Sequence, residues 1–214
     1  MGLLSILSCW YMAFRFYGAW WNPFEGDNGT WIQFGMGILV MEFLVVHSGG
    51  LLAGVSASKA NTKKERFGLL TGLVVLYFGF AFVIASAFQS KPLLYSFATI
   101  MFCRFVTGFF AVSEQNSAAV IQRSVTSGLL YMIVCFLSVA IPFPEGGLTD
   151  RVLTHFHFER GEAVWNREPQ RALAAGMIYF FFMGVYELFA AYANQQKAAE
   201  MAAAHAEFYG KMEK

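Results

Sequence analysis

Charge is what this chain has least of. Of its 214 residues only 14% are Asp, Glu, Lys or Arg, against roughly 25% in a soluble globular domain. That is too few to cover a surface facing water. Neither sign is in excess, with 15 Lys and Arg against 14 Asp and Glu, and the net charge of +1 leaves no basic stripe to meet a phosphate backbone. Nucleic acid is therefore excluded as a partner. Cysteine is scarce as well. Cys9, Cys103 and Cys135 all fall inside apolar runs, where a small buried hydrophobe is their expected role. They form neither a disulfide framework nor a metal-ligand spacing.

Several signatures of chemistry are also missing. The chain has no G-x-S-x-G, no H-E-x-x-H, no phosphate loop and no buried Lys for a Schiff base, which points away from an enzyme. No second intramembrane histidine accompanies His47 for haem ligation. No cofactor is expected, apart from bound lipid. The opening Met1-Gly2-Leu3-Leu4-Ser5-Ile6 lacks the basic start and small-residue cleavage site of a secretory signal, and Ile6 stands where myristoylation requires Ser or Thr. This stretch is expected to be retained as a membrane segment.

What the chain has in abundance is apolar surface. Hydrophobic residues make up 57%, with 24 Phe, 9 Tyr and 5 Trp. A run of ~20 apolar residues matches the ~30 Å hydrocarbon core at helical rise, and six can be read: residues 2–21, 31–55, 67–88, 93–112, 125–144 and 172–192. Lipid offers the backbone no hydrogen bonds, so such runs must satisfy themselves as helices. The sequence thus predicts an all-α, polytopic transmembrane helix bundle of six spans, forming one membrane domain over 1–214. The alternative is five spans plus an interfacial first helix, because residues 2–21 contain Arg15 and end on Trp20 and Trp21, which suit an interfacial belt.

Orientation follows from the connections. Lys59, Lys63, Lys64, Arg66, Arg123, Lys197, Lys211 and Lys214 collect on one side; Lys91, Arg151, Arg160, Arg167 and Arg171 collect on the other. The richer side is expected to be cytoplasmic, with both termini inside and the bacterial inner membrane as the setting. A long segment, 143–171, is then external. It opens on Pro142, Pro144 and Gly146-Gly147, which stop a helix. Pro169 suits the first turn of the last helix, and 194–214, rich in Ala, Lys and Glu, reads as a cytoplasmic helical tail.

Ionisable side chains at membrane depth are costly and usually face the bundle. Glu42, His47, Arg104 and Glu187 are of this kind, and are expected to form a buried polar network. Each shares a helix face with small residues: Glu42 with Gly35 and Gly49, Arg104 with Gly108 and Ala111, Glu187 with Gly184 and Ala190, and His47 with Gly50 and Gly54. Small residues mark helix contacts in lipid. Depth along the runs suggests two layers, Glu42 with Arg104 and His47 with Glu187, where pairing offsets much of the burial cost. Outside the runs, Thr154–Glu159 alternates polar and aromatic residues with period two, as a strand or interfacial ribbon would. His155, His157 and Glu159 would then share a face, which makes His155 and His157 candidate metal ligands; Phe156 and Phe158 would be buried together.

The function expected from these features is an accessory or structural subunit of a larger membrane complex, in contact with lipid and with other subunits or with itself. A proton- or ion-coupled transporter using Glu42, Arg104 and Glu187 is the alternative, and an integral membrane enzyme the third.

Overall fold

The computed structural model describes residues 2–24, 29–58, 62–110, 114–158 and 160–212. All regular structure among them is helical: α1 (Gly2–Trp21), α2 (Thr30–Ala57), α3 (Lys63–Ala87), α4 (Lys91–Phe110), α5 (Glu114–Ala140), two short helices α6 (Asp150–His155) and α7 (Val164–Arg167), and α8 (Pro169–Met212). Among the described residues, four helices are long and apolar enough to cross a membrane: Thr30–Val55, Lys64–Ala87, Ile121–Ala140 and Pro169–Ala202.

The helix ends obey local chemistry. α1 stops before Asn22-Pro23, where proline disfavours the helical conformation of its predecessor. Gly29, at φ 80°, supplies the left-handed residue that lets the chain re-enter α2 without a Cβ penalty. The Thr62 hydroxyl accepts from the Glu65 amide at 3.3 Å and the Glu65 carboxylate accepts from the Thr62 amide at 2.8 Å, a reciprocal cap for α3. α8 opens on Pro169, as its fixed φ favours.

α2 is central. It packs on α5 and α8 on one side and on the α3–α4 pair on the other, so it belongs to two apolar clusters. The larger joins α1, α2, α5 and α8 around Phe16, Ile32, Leu39, Leu173 and Tyr179; the smaller joins α2, α3 and α4 around Leu70, Ala81, Phe97 and Met101. α1 and α8 run antiparallel in close contact, because Phe16 lies on Gly176 and Trp10 on Gly184, leaving no room for a Cβ at either glycine. The outward surface stays apolar: Leu4, Phe14, Val75, Phe82, Phe102, Phe136 and Phe189 are each at least half exposed. In water such a surface would be an extended interaction patch; in lipid it is the ordinary exterior.

The 143–171 segment folds back over its end of the bundle. The Trp20 indole donates to the Pro144 carbonyl at 3.0 Å and the Gly147 amide to the Trp20 carbonyl at 2.9 Å. Leu148 and Leu153 are buried. The period-two reading of 154–159 is corrected here, since the chain forms the end of α6 and then a turn. The Phe158 amide donates to the Leu153 carbonyl (3.0 Å) and the His157 amide to the Thr154 carbonyl (3.1 Å), with His157 left-handed at φ 52°. This is a Schellman cap, which satisfies the last helical carbonyls as a strand here could not without a partner strand. Phe156 and Phe158 both pack against the larger cluster from this turn.

Candidate functional site

The polar groups that meet inside the bundle come from α1, α2, α5 and α8. Glu42 lies half-buried on α2, and the Tyr179 hydroxyl of α8 donates to its Oε1 at 2.9 Å. Tyr179 is 1% exposed, so this phenol is withdrawn from both lipid and water. A buried Tyr carries a large apolar ring and a hydroxyl that must find a partner; here the carboxyl group is that partner. The ring is held edge-on by Tyr131 (centroids 5.6 Å) and by Phe180 (5.1 Å), and Phe16 stacks on Phe180 at 5.6 Å. Tyr131, on α5, donates to the Leu39 carbonyl of α2 at 3.1 Å. Two tyrosines from two helices therefore converge on one short stretch of α2.

Glu187 follows Tyr179 by eight residues on α8, or about 12 Å at helical rise. It pairs with Arg123 of α5, whose Nε lies 2.5 Å from its Oε1. The approach is off the N–H axis, so the contact is an ion pair in which Oε1 accepts no hydrogen bond. The Glu187 side chain is 13% exposed and that of Arg123 53%, which puts the pair at the rim of the bundle. Arg123 also donates to Ser5 Oγ of α1 at 3.1 Å. One guanidinium thus ties α1, α5 and α8 together.

Of the expected network, Glu42 is half-buried and accepts from Tyr179, and Glu187 pairs with Arg123 at the rim of the bundle. Arg104 stands on α4; its side chain lies outside the described residues, as do Glu159, Lys59 and Lys214. The expectation of a buried His47 is corrected. Its side chain is exposed and lies tilted against the Phe43 ring at 4.2 Å, while the next residue, Ser48, is fully buried and bonds its own helix at the Val45 carbonyl. Gly50 faces α5 through Ser124, but Gly54 meets open space, so the glycine pair does not form one continuous contact and cannot draw His47 inward. His155 and His157 are exposed. His155 ends α6 against the Phe24 ring at 5.5 Å, and His157 occupies the left-handed cap position, so they share no strand face. Among the described residues no three His, Cys, Asp or Glu side chains stand where they could hold a metal ion.

Tyr131 and Tyr179 were not singled out by sequence, although a signal was there. Tyrosines concentrate at membrane interfaces, whereas these two lie well inside α5 and α8. A mid-helix Tyr in an apolar run needs an acceptor, and Glu42 is the acceptor at that depth. In the sequence Arg123 counts only as a charge of a connection. The pairing Tyr179–Glu42 can hold two helices in register or share a proton; the Arg123–Glu187 pair can tie α5 to α8 or present charge at the rim. The chain matches no protein-family model, and no curated protein or solved structure matches it.

Proposed function

We propose that this chain is an accessory or structural subunit of a larger integral membrane complex, with six spans and both termini in the cytoplasm. The observation that carries the reading is how the interior polar groups are used. Tyr179 to Glu42 ties α8 to α2, Tyr131 to Leu39 ties α5 to α2, and Arg123 ties α5 to α8 and α1. Each is a contact between helices, as expected of groups that fix register in lipid. The wide aromatic exterior, with Phe80, Phe82 and Phe102 more than half exposed, supports lateral packing against lipid and other subunits.

The sixth-span reading of α1 draws support from its length. Its Ser5 meets Arg123 near the start of the apolar stretch Ile121–Ala140 and its Trp20 meets the Pro144 carbonyl past the end of that stretch. α1 therefore extends beside the whole apolar stretch Ile121–Ala140. Isolation in mild detergent tests the function: defined partner chains at fixed stoichiometry are expected. A protein recovered alone that carries ions or protons in proteoliposomes would refute it.

One observation favours a second reading, proton- or ion-coupled transport. Glu42–Tyr179 and Arg123–Glu187 line up along α8 at two-turn spacing, as stations of a relay would. Glu42→Gln keeps the shape and removes the titratable group, so under this reading it abolishes flux in a protein that still folds.

A further inference from the structure

At the end of the bundle that carries α7, a cavity of about 340 Å³ is lined by Met36 and Val40 of α2, Phe88 after α3, Val139 of α5, and Ala163 to Asn166 of the α7 segment. Its size falls in the ~300–1,000 Å³ range of small-molecule sites, which are mostly apolar with a few placed polar groups. Here the wall is apolar except for Asn166. The space exists for a topological reason. α5 packs on α2 and α8, whereas α3 and α4 pack on α2 and on each other, so α2 forms the floor between two walls. α7 lies across the top, pinned by the Trp165 indole donating to Ser138 Oγ at 3.1 Å. Val139, Ala163 and Asn166 are exposed, so the cavity opens outward.

Charged residues adjoin the lining residues. Arg171 Nη1 donates to the Val139 carbonyl at 2.7 Å, directly behind a lining side chain. Arg167 follows Asn166 in sequence and is 60% exposed. Both guanidiniums share one carboxylate, Glu168, at 2.6 Å from Arg171 and 3.7 Å from Arg167. With Glu162 exposed just before Ala163, the segment carries two cations and two carboxylates; Arg171 is 14% exposed and held close by Glu168, whereas Arg167 is 60% exposed and 3.7 Å from it, which leaves Arg167 as the cation open to a ligand beside the apolar hole. A phosphodiester with a hydrocarbon chain fits that combination, because Arg binds phosphate oxygens strongly and the wall of the hole is apolar.

We propose that this cavity is a phospholipid site: one acyl chain enters between α2, α5 and α7, and the phosphate lies over Arg167 with Asn166 beside it. The inference requires only that the bundle sits in a bilayer, and is independent of whether the chain is a subunit or a transporter.

The test uses the full chain in phosphatidylglycerol vesicles containing a phosphatidylglycerol with a diazirine in its acyl chain, with crosslinks mapped by mass spectrometry. Labelling of Met36 and Val40 is expected to exceed that of Phe136, an exposed outward residue, several-fold, and unlabelled phosphatidylglycerol should compete better than diacylglycerol or a polyprenol. Val139→Trp, which fills the cavity, and Ala163→Phe, on its exposed roof, should each remove the excess and leave Phe136 labelling intact. Arg167→Gln should remove the advantage of phosphatidylglycerol over diacylglycerol. Labelling of Met36 and Val40 no stronger than that of Phe136, or unchanged in either filling variant, would overturn the site. Better competition by the polyprenol would overturn the phospholipid as its occupant. Absent labelling at Phe136 would instead mean that the bundle is not in the bilayer.

Discussion

Tyr179→Phe is the most informative single change, because it removes one oxygen and leaves the ring that fills the space. No cavity forms, so the measured effect belongs to the hydrogen bond to Glu42 at 2.9 Å. Two scales bracket its size. Hydrogen bonds to charged groups contribute ~1.5–3 kcal/mol in soluble proteins, while interhelical bonds in membranes average ~0.6 and reach ~1.7 kcal/mol, since the unfolded chain in lipid also finds partners. Tyr179 is 1% exposed and its acceptor is a carboxyl group, so the upper part of the membrane range applies, about 1.5 kcal/mol or roughly tenfold in the unfolding equilibrium. Tyr131→Phe is the internal control. Its acceptor is the Leu39 carbonyl inside α2, which has a helical donor in any case, so about 0.5 kcal/mol is expected. Unfolding by steric trapping in bicelles supplies both numbers. Combining Tyr179→Phe with Glu42→Leu should cost less than the sum of the two by about 1 kcal/mol, the signature of groups that act on each other. Coupling within about 0.3 kcal/mol of zero, or equal losses from the two Tyr→Phe changes, would refute the view that Tyr179–Glu42 is the main polar tie.

Three further outcomes are expected. Gly176→Ala places a methyl inside the Phe16 ring, itself fully buried, and should cost ~1–3 kcal/mol as overpacking does; Gly54→Ala meets open space and should be neutral or stabilise by ~0.5 kcal/mol, both read from thermal unfolding in detergent. Arg171→Met removes the cation that three carbonyls at the end of α5 (Ser138, Val139 and Ile141) accept from; a loss of ~1 kcal/mol is expected for a partly buried charge at a helix C-terminus, with faster hydrogen exchange confined to the last turn of α5. For topology, a cysteine at Thr149 should react with an impermeant maleimide from outside and one at Ser58 should not; the reverse pattern would invert the orientation.

The sequence alone determined that the chain is helical and where its long helices run. Lipid leaves the backbone no partner but itself, so an apolar run of sufficient length commits to a helix whatever its neighbours are. Residues 2–21, whose Arg15 and terminal tryptophans leave an interfacial helix as the alternative, form a full helix, Gly2–Trp21, with Arg15 set over the Trp31 ring at 5.0 Å. The caps were legible for the same local reason, as at Pro169. Which face of each helix turns inward was decided only by tertiary structure. A soluble helix announces its buried face by contrast with a polar one, but helices apolar on every side carry no such contrast. Small residues were therefore a poor guide: they agreed with the inward placement of Glu187 and misled at His47, where Gly54 has no neighbour. The same limit hid Tyr131 and Tyr179, because their acceptors lie on α2, 92 and 137 residues away in the chain. The alternation at 154–159 was too short to separate a strand from a capped helix end, and the Leu153 and Thr154 carbonyls, which accept from Phe158 and His157, settled it. Local satisfaction of the backbone can be read from a sequence; the pairing of side chains across lipid-facing helices depends on rotations that only packing selects.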